Sequence, residues 1–429
     1  MRAIRTSSAV QERVLRPLQD PATLLPIVLI AAFGLRAVWL SLPTGTLIFD
    51  EAYYVNAARV LLGWAVDPGA PYAGAAAGLD PNIEHPPLGK LLIAGSMAIL
   101  GDNGLGWRLP SLVAGMVSLG AVYRLVRSAG ETARLATLVV ALLAFDNLTL
   151  VHGRLGTLDM LALAPILVAA WLALRERWIL AGATLGLGVL VKITASFGLL
   201  AVLLLLAAQV VPAWRRDRGV ARGLVRGGIT LVVAFAVVAI AGLWLLDARF
   251  TTFQNPFDHL RHMVQYGASL TESIDHGGLC AGISSAPWQW PFNTCQINYL
   301  RVDANVHDAA GEVVAAIPSI DVRGALNPLL ASAIPLAALA LVWRAWKTRD
   351  LLSIWAVAWI AATYLPYVAL VLLNNRVTYL YYFLPVVPAI AVAVALLLFR
   401  SGLPRVVAWG YLVMYGIGFA AYFPFRQIP

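Results

Sequence analysis

The chain has 429 residues, of which 60% are hydrophobic and only 12% charged, with a mean hydropathy of +0.78. No soluble domain of this size can hide so much apolar surface, so the composition is that of a polytopic membrane protein. The formal charge of +9 does not mean nucleic acid: the basic residues lie in short clusters between apolar runs, the pattern of cytoplasmic topology signals, and the expected partner is the lipid bilayer.

Arg2, Arg5, Arg13 and Arg16, followed by the apolar run 24–42, predict an uncleaved first anchor with a cytoplasmic N-terminus. Further spans are predicted over 108–127, 132–151, 157–174, 177–191, 193–211, 225–246, 326–343, 351–373, 377–399 and 404–424, eleven in all. The run 87–101 is short and opens Pro-Pro-Leu-Gly-Lys, which suits a helix lying in or dipping into the interface. Counting it as a span would put the basic cluster Arg124–Arg134 outside, against the positive-inside rule, so eleven is preferred. The expected organisation is an all-α transmembrane core over 1–246 carrying a first outer loop over 43–107. An extracytoplasmic loop domain over 247–325 and C-terminal transmembrane helices over 326–429 follow.

The first outer loop concentrates the chemistry. Asp50 and Glu51 appear as soon as the first apolar run ends, and Glu84-His85-Pro86-Pro87 and Lys90 follow. Two acids at the mouth of a hydrophobic segment are costly unless they have a task, although hydrated acids at a helix end would look the same. Around them the topology gathers cations on the same face: Arg36 inside the first span, Arg108, Arg154 near Asp159, Lys192 between two apolar helices, and Arg376. Arg36 could equally snorkel outward. A ring of cations around a carboxylate pair suits an anionic, membrane-borne substrate such as a lipid phosphate beside a general base. It would also suit ordinary phospholipid headgroups.

Asp50-Glu51, then His85-Pro86-Pro87-Leu88-Gly89-Lys90, then Trp107-Arg108-Leu109-Pro110-Ser111 resemble the protein O-mannosyltransferase family. The similarity continues through Asp146-Asn147, Arg154, Leu158-Asp159 and Lys192, and resumes at Ser285–Pro291 and at Arg376 with Tyr381-Tyr382-Phe383-Leu384-Pro385. The resemblance implies a GT-C membrane glycosyltransferase fold and transfer of mannose from polyprenyl-phosphate-mannose to Ser or Thr hydroxyls of exported polypeptides. It implies Asp50 as catalytic base, with Glu51 supporting acceptor or loop geometry. Lys192, Arg376, Arg154, Arg108, Arg36, His85 and Asp159 would bind the donor's phosphate or sugar. It requires no cofactor with certainty and leaves a divalent cation open, and export as the acceptor's fate leaves open an association with the secretion machinery. The chain is short for the family and lacks the β-trefoil module of eukaryotic members. That keeps a second acceptor class in view, in which a related enzyme passes aminoarabinose or another lipid-linked sugar to lipid A or a cell-wall glycan. A transporter of lipid-linked substrates is the rival outside enzymology, but it would place its key charges near the midplane.

Smaller signals complete the reading. Cys280 and Cys295 share an outer loop, so a disulfide is expected where geometry allows it. His259 and His262 have helical i, i+3 spacing without a third ligand nearby, which argues against a metal site. The sequon at Asn147 lies too near the membrane, in a chain read as bacterial, to be glycosylated. Trp288 and Trp290 are expected as interfacial anchors, and Tyr379, Tyr381 and Tyr382 as part of an aromatic belt.

Overall fold

The structure, a computed structural model, describes residues 21–271, 280, 283–301, 306–315, 318, 319, 321–423, 426 and 427; Arg2, Arg5, Arg13 and Arg16 lie outside them. Each predicted span contains a helix, but local chemistry moves the boundaries. The first helix, α1 (Pro21–Ala37), stops short of residue 42. Amphipathic α2 (Glu51–Leu62) follows, and α3 (Leu88–Leu100) packs against α2 and α4 (Gly104–Ser128). The predicted span 132–151 is broken into α5 (Ala133–Ala144) and a short α6 (Asn147–His152). The break falls at Asp146, whose carboxylate accepts from the Thr149 backbone N–H at 2.9 Å and so starts a new helix.

Next come α7 (Leu158–Leu174), α8 (Trp178–Val191), a 3₁₀ turn at Ile193–Ala195, α9 (Ser196–Arg216) and α10 (Arg218–Phe250). Helix α10 outruns the predicted 225–246 because Asp217 caps it early and its charged ends continue the helix. Its 33 residues reach about 50 Å, more than the bilayer's hydrocarbon core requires. Helices α8 and α10 pack closely through glycine: a Cβ on Gly182 would collide with the Leu231 carbonyl oxygen. Small residues let apolar helices approach where no hydrophobic force drives them together.

Past α11 (Pro256–Ser269), the described residues form three antiparallel two-stranded sheets, the third of them closed by the C-terminal strand. Strand β1 (Ile297–Arg301) pairs with β5 (Asp321–Gly324), and β2 (Val306–His307) with β3 (Val313–Ala315). Strand β4 (Pro318–Ser319) pairs with the C-terminal β6 (Arg426–Gln427). Cys280 and Cys295 are disulfide-bonded, their Cα atoms 5.1 Å apart. The chain ends in α12 (Pro328–Thr348), α13 (Leu351–Asn374), α14 (Val387–Arg400) and α15 (Arg405–Ala421). The predicted span 377–399 opens instead as an extended stretch and a 3₁₀ turn, Leu380–Val386, because Pro385 and Pro388 withhold helical N–H groups. Among the described residues, six helices are long and apolar enough to cross a membrane, and the other predicted spans are shorter apolar helices.

Candidate active site

Consecutive residues on a helix point about 100° apart, and that separates the two acids of the first outer loop. Glu51, fully buried, turns inward and is saturated. Arg108 donates to it from Nε and Nη2, both at 2.8 Å, and the backbone N–H groups of Ile48 and Gly156 donate at 2.7 Å each. Asp50, at the start of α2, makes no capping hydrogen bond and faces the other way, into electrostatic reach of Asp159 and Lys192. Burial, reinforced by Asp159 and opposed by Lys192, raises its carboxyl to about 7.

Asp159 projects from the first turn of α7 and Lys192 from the junction of α8 with the 3₁₀ turn. Lys192 Nζ donates to Asp159 Oδ1 at 2.7 Å, and the Tyr381 and Tyr382 rings stand 5.6 and 5.7 Å from Nζ. A buried ammonium thus has one carboxylate and two aromatic faces as its surroundings. His152, on α6, lies on the far side of Asp159. Its Nδ1 is 3.9 Å from Asp159 Oδ2, and its Nε2 is 3.0 Å from the hydroxyl of Tyr299 on β1. Phe49 closes the wall against Tyr299 and Tyr381, with ring centroids 4.5 and 5.6 Å away.

His85 reaches the same place from the other end of the loop, beside Tyr54. Burial, then the charges of Lys192, Lys90 and Arg376, push its imidazole well below the ordinary range, so it is neutral. It is held there by Lys90, fully buried, whose ammonium pairs with Asp80 at 2.7 Å and donates to the carbonyls of His85, at 2.7 Å, and Asn82. Arg376 is half-buried and donates from Nη1 to the Leu270 and Val377 carbonyls. Asp50, Asp159, Lys192, His85 and Arg376 therefore share one electrostatic neighbourhood.

The other predicted cations do not join them. Arg154 donates to the Leu35 and Val38 carbonyls at 2.9 and 2.6 Å, and Arg108, besides holding Glu51, takes those of Leu40, Leu42 and Thr46. Both arginines satisfy orphan carbonyls where α1 ends and the chain enters the first loop. Arg36 neither snorkels nor reaches the site: it is fully buried and donates to Ala32 and Ala144 carbonyls, both at 3.2 Å. The anticipated ring of cations is thus reduced to Lys192 and Arg376.

Two aromatic expectations also change. Trp290 is no interfacial anchor: it is buried, donates to Ser285 Oγ at 2.9 Å and packs among Tyr364, Tyr367, Tyr382 and Phe383. Tyr381 and Tyr382 line the site rather than a lipid belt, because the 3₁₀ turn carries them inward. Trp288 remains exposed. His259 bonds Asp247 at 2.6 Å and the Ile83 carbonyl at 2.9 Å, which pins the first loop to α10 and α11. Asn147 is buried and donates to the Phe419 carbonyl at 3.0 Å. Among the described residues, no group of three or more His, Cys, Asp or Glu side chains converges as metal ligands.

A poised carboxyl beside a shielded ammonium, under a wall of tyrosines, can take a proton from a hydroxyl while a departing anion is stabilised. The fold carrying it is that of the GT-C membrane glycosyltransferases. It superposes on the Saccharomyces cerevisiae protein O-mannosyltransferase Pmt1–Pmt2 complex bound to the sugar donor with a TM-score of 0.66, covering 94% of this chain and 89% of that one at 11% identity. The sequence profile of the dolichyl-phosphate-mannose-protein mannosyltransferases matches residues 84–246.

Over 116 residues it is 37% identical to a polyprenol-phosphate-mannose–protein mannosyltransferase of Mycobacterium tuberculosis, covering 27% of this chain and 21% of that protein. Over 160 residues it is 32% identical to the protein of that name from Corynebacterium glutamicum, covering 35% and 29%. The match thus spans less than a third of each of these two relatives' length.

Proposed function

We propose that this membrane protein transfers mannose from polyprenyl-phosphate-mannose to Ser or Thr hydroxyls of exported polypeptides, with inversion, at the outer face of the membrane. One observation carries the reading: Asp50 is held near the middle of the physiological pH range, at about 7, within reach of the Lys192–Asp159 pair. A base with that pKa is ionised often enough to act and basic enough to accept the proton.

Asp50 removes the hydroxyl proton as the oxygen attacks the anomeric carbon. The sugar–phosphate bond breaks with its electron pair going to the phosphate on the opposite face. Lys192 and Arg376 stabilise that phosphate, and His85, neutral, offers a hydrogen bond without adding charge. Glu51 and Arg108 set the loop geometry that aims Asp50; Arg154 and Arg36 support the helices behind it. Inversion needs no second carboxylate as nucleophile.

The named relatives and the fold support mannose and protein as the donor sugar and acceptor class. The eleven-span topology with a cytoplasmic N-terminus belongs to the same proposal, as does a hydroxyl acceptor met before it folds, close to the secretion machinery. The test is purified full-length protein in nanodiscs with polyprenyl-phosphate-mannose and a panel of Ser/Thr peptides. Glycopeptide and free polyprenyl phosphate in equal amounts are expected. Turnover of an aminoarabinosyl donor onto lipid A instead, or no release of polyprenyl phosphate, would reject the assignment.

A further inference from the structure

The mechanism above leaves one buried pair of polar atoms without a task. His152 Nδ1 and Asp159 Oδ2 face each other at 3.9 Å, and neither has a hydrogen-bond partner among the described residues. Buried polar atoms are rarely left this way, because each costs its desolvation.

The carboxylate of Asp159, on the Nδ1 side of His152, favours the tautomer protonated there. Burial lowers its imidazole to about 4, so it is neutral and carries a single N–H. The Tyr299 hydroxyl lies 3.0 Å from Nε2. A phenol O–H donating to Nε2 leaves the proton on Nδ1, aimed at Asp159. The 3.9 Å gap is about 1 Å longer than a charge-assisted N–H···O bond. Asp159 is held back on its other oxygen by Lys192, at 2.7 Å.

An anionic lipid phosphate arriving at Lys192 competes for that ammonium. Asp159 would then be a buried carboxylate that has lost its counter-charge, which is unfavourable unless another donor is near. The donor nearest its free oxygen is His152 Nδ1–H. We propose that His152 is a positioning residue that takes over Asp159 when a lipid phosphate engages Lys192, forming Nδ1–H···Oδ2 as Lys192–Asp159 loosens. Tyr299, on β1 of the outer segment, fixes the tautomer that makes the exchange possible, which ties that segment to the donor pocket. The proposal rests on the reading of Lys192 as the phosphate's partner.

The experiment measures binding of polyprenyl phosphate alone to the full chain in nanodiscs, with thermal unfolding recorded for every variant. His152→Phe should fold yet bind about tenfold more weakly, the worth of one charge-assisted hydrogen bond. His152→Asn, whose amide N–H falls near Nδ1, should recover most of the affinity; His152→Gln, which mimics Nε2, should not. Tyr299→Phe should fall between wild type and His152→Phe. In an Asp159→Asn background, His152→Phe should cost less than about twofold, because the partner it serves has gone.

Wild-type affinity in folded His152→Phe would overturn the exchange. Equal failure of the Asn and Gln variants, or an undiminished loss in the Asp159→Asn background, would do the same. If Lys192→Met bound polyprenyl phosphate as wild type does, the phosphate role of Lys192 would have failed and the exchange with it. Loss confined to Lys192→Met, with His152→Phe normal, rejects the exchange alone.

Discussion

Changing Glu51 to Gln removes a single charge and almost no volume, yet it should be among the most damaging substitutions in the first outer loop. The carboxylate accepts four hydrogen bonds, two from Arg108 and one each from the Ile48 and Gly156 backbones, with no exposure to solvent. An amide keeps one acceptor oxygen and turns an NH₂ group toward N–H donors. Breaking a buried ion pair on one side costs ~3–5 kcal/mol. An N–H left facing a donor adds ~1–3 kcal/mol. A destabilisation of at least ~3 kcal/mol is therefore expected, together with loss of activity, because Arg108 also holds the Leu40, Leu42 and Thr46 carbonyls. Thermal unfolding in detergent, followed by intrinsic fluorescence, reads this directly. Adding Arg108→Gln should return part of the loss, since the uncompensated guanidinium is then gone. An unfolding midpoint for Glu51→Gln indistinguishable from wild type would refute the clamp and return Glu51 to the reaction.

Lys192→Met should weaken polyprenyl-phosphate binding and lower stability by leaving Asp159 unpaired, and Lys192→Arg should recover part of both; lowered stability with normal lipid affinity would reject the phosphate role. Asp50→Asn should raise the unfolding temperature at pH 8. Its native pKa lies above the unfolded value of about 3.9, so wild type loses stability as pH rises from about 4 to about 7. The Asn variant does not, and its advantage should grow over that window and level off above it; an advantage independent of pH would contradict the shift. Cys280 and Cys295 should resist alkylation until reduced, and mass spectrometry finding both labelled without reductant would contradict the bond.

Hydropathy and charge made the helices and the chemically loaded first loop legible, and ordered short motifs pointed to the family. What they could not supply was direction. Hydropathy and charge alone leave Asp50 and Glu51 equivalent; the resemblance gives the base to Asp50, and the phase of α2 and the position of Arg108 separate the two in space. Arg36, Arg108 and Arg154 read as site cations because a sequence shows charge but not the orphan carbonyls that occupy them. Tyr381 and Tyr382 resembled a lipid belt because belt and site draw on the same residues; the 3₁₀ turn decides. Lys192 is the clearest signal in the sequence, a lysine between two apolar helices with no compositional reason to be there, and the structure pairs it with Asp159. His152 was missed because a lone histidine in a turn has no periodicity, and its partner Tyr299 is 147 residues away. The HGR sequence just past an apolar run is its one visible trace.

The central claim is that Asp50 takes the acceptor's proton. The most direct measurement is the pH dependence of kcat/KM for mannose transfer from polyprenyl-phosphate-mannose to a Ser/Thr peptide, with donor binding measured in parallel for wild type and Asp50→Asn. The rate should fall tenfold per pH unit below about 7, where Asp50 becomes protonated. Asp50→Asn should bind donor normally while turning over at least ~10²-fold more slowly. Turnover by Asp50→Asn within a few-fold of wild type, or an unchanged acid limb in that variant, would contradict it.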